Sequence, residues 1–140
     1  MIVLDTNVLS ELMRPAPSPR VVAWVAKQPA TELFTTSITE AEIFYRIELL
    51  ARGKRREVLL AAAEAMFAED LAGRVFGFES DAARAYSKIA ARRRALGRPI
   101  SHADAQIAAI VQVRGARLAT RNVTDFEDCG VDAVDPWNGS

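Results

Sequence analysis

The chain reads as an α/β fold with a five-stranded, mainly parallel sheet flanked by helices on both faces. Three observations predict it. Short apolar runs rich in β-branched residues alternate with longer stretches of helical pattern, glycines stand where those stretches stop, and polar residues gather directly after the short runs. Strands separated by helices need crossover connections, and crossovers place neighbouring strands parallel with both sheet faces covered.

The first strand is Ile2-Val3-Leu4, too short for a helix and cut off by Asp5-Thr6-Asn7. Similar runs at Leu33 to Thr36, Val75 to Phe78, Arg117 to Thr120 and Val131 to Val134 supply four more. A helix over Asn7 to Met13 follows the first strand, and Ser18-Pro19 opens another, whose Val21, Val22, Trp24 and Val25 suit one face before Pro29 closes it. Further helices are predicted over Ile38 to Arg52, Arg55 to Ala72, Asp81 to Leu96 and Ala103 to Arg114, with Gly53, Gly73, Gly97 and Gly115 as their C-terminal caps.

With 140 residues, 50% hydrophobic and 26% charged, the chain is expected to form one globular domain over residues 1–140. Eighteen basic residues offset eighteen acidic ones, so affinity for nucleic acid has to come from the distribution of charge rather than its sum. The lone Cys129 excludes an intrachain disulfide and a multi-cysteine zinc site. No apolar run approaches the ~20 residues of a membrane helix, and an acid at position 5 comes too early for a signal peptide. A cytoplasmic protein without membrane contact is the expectation.

Ligands of open α/β sheets bind beyond the carboxyl ends of the strands, and several acids fall there. Asp5 ends the first strand, Glu42 follows the second, Asp104 opens the helix before the fourth, and Asn122 and Asp125 come just after the fourth. Each has a local structural explanation. Asp5 can cap the first helix, Glu42 can close a capping box with Thr39 (unless Ser37 and Glu40 form it), and Ser101 with Asp104 forms another such box. Their convergence on one edge asks for more, because close carboxylate pairs repel by about 4 kcal/mol at an effective dielectric near 20. Mg²⁺ or Mn²⁺ would offset that repulsion, since hard divalent cations take oxygen ligands and leave positions for water and phosphate. Phosphate chemistry is the prediction.

Other chemistries lack their parts. His102 is the single histidine, there is no Walker-type phosphate loop, and no Gly-x-Ser-x-Gly elbow occurs. A haloacid-dehalogenase-type phosphotransferase needs an Asp where Asn7 stands, and a receiver domain needs one near Gly77-Phe78-Glu79. Basic residues cluster at Arg52, Lys54, Arg55 and Arg56 and at Arg92, Arg93, Arg94 and Arg98, either as solvated faces or as a positive rim for a nucleic-acid backbone.

Taken together these residues resemble a PIN domain, in particular the VapC-type toxin nucleases of the FitB-like branch. The resemblance rests on Met1 to Glu11, Arg20-Val21-Val22-Ala23-Trp24, Ser37-Ile38-Thr39-Glu40-Ala41-Glu42, Ala103 to Ala109, Leu118 to Asn122 with Asp125-Phe126, and Asp135-Pro136-Trp137. It implies a single PIN-like domain that cleaves RNA with Mg²⁺ or Mn²⁺, dimerises with itself, and is neutralised by a cognate VapB-type antitoxin whose C-terminal segment fills the acidic groove. Asp5, Glu42 and Asp104 match the family's metal-site acids. Asp5 and Asp104 are expected as direct ligands, while Glu42 completes the metal shell or orients water. Thr6, Thr120 and Asn122 are expected to hold the acids or the phosphate, and Arg121 to pair with an acid or the substrate. One position departs: members with four acids carry Asp where Asn122 stands, although many relatives show Asn there with an Asp three residues on, as here at Asp125; an amide brings no charge and weakens a second metal site, which leaves both one metal and two open. The rival outside the enzymes is a PIN-like binding module that acts only through its partners.

Overall fold

The structure, a computed structural model, describes residues 1–138. Five strands, β1 (Ile2–Leu4), β2 (Leu33–Thr36), β3 (Val75–Phe76), β4 (Arg117–Ala119) and β5 (Asp132–Val134), form one sheet in the order β3-β2-β1-β4-β5. All four pairings are parallel. The central strand β1 carries the register, Ile2 lying opposite Leu33 on one side and Arg117 on the other. The helices are α1 (Thr6–Leu12), α2 (Pro19–Ala26), α3 (Ser37–Glu48), α4 (Lys54–Ala65), α5 (Ser80–Ala95) and α6 (His102–Arg114).

Alternation along the strands splits the core in two. Ile2, Leu4, Ala119 and Val134 pack with Val8, Leu9, Val21, Ile43, Ile47 and Ala63, so α1 to α4 cover one face. Val3 and Leu118 face the other way, against Ala82 and Ile89 of α5 and Ile107 to Val111 of α6. The period of two that puts Val3 and Leu4 on opposite faces is the ordinary consequence of a pleated strand.

Three expectations change. Helix α3 stops at Glu48 rather than Arg52; the chain then turns so that α4 packs back against α3, with Arg56 2.8 Å from Glu48. Gly53 therefore caps the start of α4, with φ near +152°, instead of ending α3. The predicted long helix to Ala72 breaks after Ala65 into a π-helical turn over Met66–Asp70, which buries Met66 and Phe67 before the chain enters β3. Gly115 does end α6 in the left-handed region, at φ +63°.

Helices α1 and α3 start directly after the carboxyl ends of β1 and β2, and α6 leads within three residues into the amino end of β4, so all three begin at the carboxyl edge of the sheet. That edge is where Asp5, Glu42 and Asp104 stand.

Candidate metal centre

Asp5 follows Leu4 at the end of the central strand and is 5% exposed. Its backbone is extended, and its Oδ1 accepts the Thr6 amide at 2.8 Å, so it is the N-cap of α1. Its Oδ2 accepts the Thr120 hydroxyl at 2.8 Å, which ties β1 to the end of β4. The capping role and the site role are thus filled by different oxygens of one carboxyl group.

Thr6 also turns its hydroxyl to Glu42, with Oγ1 2.8 Å from Glu42 Oε1 and 3.0 Å from Thr39 Oγ1. Glu42 is free to do this because neither anticipated capping box forms. Thr36 is the N-cap of α3, its Oγ1 accepting the Thr39 amide at 3.1 Å. At α6, Ser101 caps the helix by accepting the Asp104 amide at 3.2 Å, so the backbone of Asp104 holds the helix start.

The electrostatics follow from this placement. Burial pushes the Asp5 carboxyl up from 3.8 to about 6; the hydrogen bonds from Thr120 and Thr6 oppose the push, and the charges of Asp104 and Glu42 add to it. Asp104 is also pushed up, first by burial and then by Asp125 and Glu42, against the pull of the Ser101 hydroxyl and Arg93. Asp5, Glu42, Asp104 and Asp125 therefore share one field. Among the described residues none of the four forms an ion pair with Lys or Arg.

Among the described residues no three His, Cys, Asp or Glu side chains close into a ready-made metal cage. The donor set nonetheless fits a hard divalent cation: it offers carboxylate oxygens without counter-charge, and Mg²⁺ in particular binds through one or two carboxylates while keeping several waters. Asp5, Glu42 and Asp104 are the residues that would hold it.

The remaining predicted residues are distributed around this edge. Asn122 is exposed, and its backbone amide donates to Thr120 Oγ1 at 3.1 Å. Asp125 lies in the 3-10 turn Val123–Phe126. Among the described residues Arg121 forms no ion pair; its guanidinium lies 4.9 Å over the Trp137 ring, where the π-face takes the place of a carboxylate. The cationic run at the end of α5 and just beyond it is only in part a free rim: Arg94 is exposed, but Arg93 is buried, Arg92 meets Asp128, and Arg98 meets Glu127 and Asp128. Sequence reasoning missed Thr39 and the Asn7 side chain, whose Oδ1 accepts the Arg121 amide at 3.2 Å. The signal was a polar triplet after a buried strand, which announces a site but not its hydrogen-bond partners.

A parallel sheet in this order with acids gathered at its carboxyl edge defines a class of small α/β domains, and the comparisons with known proteins narrow it. The PIN domain family model matches residues 2–130. The chain belongs to the PIN-domain family. It is 39% identical to a VapC ribonuclease, Y4jK, of Sinorhizobium fredii over 98% of both chains. It is 36% identical to the toxin FitB of Neisseria gonorrhoeae over 99% of both. Its fold superposes on the crystal structure of FitAcB from the same organism with a TM-score of 0.91, at 36% identity, covering 98% of this chain and 99% of that one.

Proposed function

We propose that the protein is a Mg²⁺- or Mn²⁺-dependent endoribonuclease that serves as the toxin of a VapBC-type toxin-antitoxin pair. The observation that carries this reading is the group of mutually repelling carboxylates at Asp5, Glu42 and Asp104, none of them in an ion pair among the described residues, at the edge where α/β sheets bind ligands. The similarity to a VapC ribonuclease and to FitB over nearly the full chain points the same way.

A bound divalent ion would supply an activated water and charge stabilisation for in-line displacement at a phosphodiester. The chain's own residues do the rest. Asp5 and Asp104 would hold the ion from the end of β1 and the first turn of α6; Thr6 and Thr120 aim the Asp5 oxygens, and Ser101 holds the start of α6 through the Asp104 amide. Thr6, steadied by Thr39, keeps Glu42 turned toward the site. Thr120 orients Asp5 and receives the Asn122 amide, so the loop after β4 is registered to the same acid. Asn122 and Asp125 line the approach, and Arg121, braced on Trp137, presents a cation for an RNA phosphate nearby.

The proposed antitoxin has two handles. The acid edge attracts basic side chains, and a groove of about 740 Å³ between α1, α3 and α4, floored by Met13, Ile43, Ile47 and Leu59, offers an apolar seat for a helix. A homodimer and a cytoplasmic setting complete the reading. The experiment is RNA cleavage by purified protein with and without Mn²⁺, alongside growth of cells expressing it alone. Cleavage only with metal and arrested growth are expected; no cleavage at millimolar metal leaves the binding-module reading standing instead.

A further inference from the structure

We propose that Arg93 is a positioning residue for this site: from inside the fold it fixes the turn carrying Asn122 and Asp125 against Asp104 and Asp5. The inference rests on the nuclease reading. Arg93 lies in the last turn of α5 and is 6% exposed. Its Nε donates to the Arg98 carbonyl at 2.8 Å, and its Nη1 reaches the carbonyls of Asp125 at 2.7 Å and Glu127 at 3.1 Å, with Cys129 Sγ at 3.5 Å. One side chain thus gathers the α5–α6 connection and the loop between β4 and β5.

Among the described residues Arg93 has no carboxylate within ion-pair distance, so a buried charge is held by neutral carbonyls and the Cys129 sulfur. That is a costly way to stabilise a loop, since several kcal/mol attend the burial of an ion and an uncharged donor would suffice for one bond. It becomes intelligible when the contacts are followed outward. The Asp125 amide donates to the Asn122 carbonyl at 3.0 Å, the Asn122 amide to Thr120 Oγ1, and the Thr120 hydroxyl to Asp5 Oδ2. The chain of bonds begins at Arg93 and ends on the acid at the centre of the sheet. The planar fork is what allows several carbonyls to be held at once, and a lysine has no such fork. The buried cation also lies in the field of the acids and offsets part of their repulsion.

The test compares wild type, Arg93→Lys and Arg93→Met by hydrogen exchange of the metal-free protein and by the Mn²⁺ dependence of RNA cleavage. Arg93→Lys keeps the charge and much of the volume, so it decides the matter if Arg93→Met fails to fold. Peptides covering residues 121–128 are expected to exchange about tenfold faster in Arg93→Lys while those of α6 and the sheet stay protected. The Mn²⁺ concentration for half-maximal cleavage is expected to rise about tenfold, with kcat at saturating Mn²⁺ nearly restored. A folded Arg93→Lys protein with wild-type exchange in 121–128, a uniform loss of protection, or an unchanged Mn²⁺ requirement would overturn the inference while the wild-type enzyme remains a nuclease. Wild-type protein that cleaves nothing at any Mn²⁺ concentration overturns the nuclease reading and the role of Arg93 with it.

Discussion

Asp5 keeps its proton in the folded state to about pH 6, whereas the unfolded chain releases it near 3.8. Below 3.8 both states are protonated and burial of the group carries no ionic penalty. As pH rises through that window the unfolded state loses its proton first, so stability falls, and above 6 the full penalty of about 3 kcal/mol is present. In chelator, Asp5→Asn is therefore expected to melt near the wild type at pH 4 and well above it at pH 7.5, and a difference that does not change with pH would contradict the account. The expected price of that stabilisation is loss of metal-dependent cleavage. Asp104→Asn tests the second acid. Ser101 caps α6 through the Asp104 backbone amide, so the substitution should leave metal-free melting unchanged or slightly raised, abolish the metal-induced shift, and lower turnover by orders of magnitude. Near-normal cleavage would make Asp104 a purely structural acid. The sequence announced these carboxylates because each follows a strand or opens a helix at the carboxyl edge. It was silent on the hydroxyls that aim them, since Thr39 reaches Thr6 across 33 positions of chain.

At the level of elements, the strands and most helices were legible because their boundaries are written in local chemistry: a buried triplet at β1, Pro19 at the start of α2, Ser101 before α6. The misreadings lie where tertiary contacts override such signals. Leu49 to Arg52 carries good helix formers, yet the return of α4 against α3 ends the helix, and Gly53 takes up a backbone conformation at the start of α4 that other residues adopt only with strain. The break after Ala65 serves to bury Met66 and Phe67. Gly115 provides an element-scale prediction. At φ +63° it lets α6 close with its Cβ direction free of neighbours, so Gly115→Ala is expected to cost about 1 kcal/mol of stability by backbone strain alone. A melt should show that loss while the Mn²⁺ requirement of cleavage stays as in the wild type. A changed requirement would mean that α6 shifts Asp104.

For the whole molecule, a net charge of zero conceals a division between an acidic edge and basic groups elsewhere. Arg14, Arg46 and Arg55 rim the apolar groove between α1, α3 and α4, where Val58 is 57% exposed. Val58→Asp is expected to weaken binding of the proposed VapB-type antitoxin at least tenfold without altering cleavage by the free protein, and calorimetry with that antitoxin checks it. Unchanged affinity would move the partner off this groove. The sheet order carries one more consequence. The first strand sits at the centre and waits for its β4 neighbour, and Asp5 finds Thr120 only 115 residues later. On a ribosome adding about 5 to 20 residues each second, the opening segment emerges many seconds before its partner. A nascent chain therefore stays harmless until synthesis is almost finished, and an abandoned fragment that ends before Arg117 should neither fold nor cut.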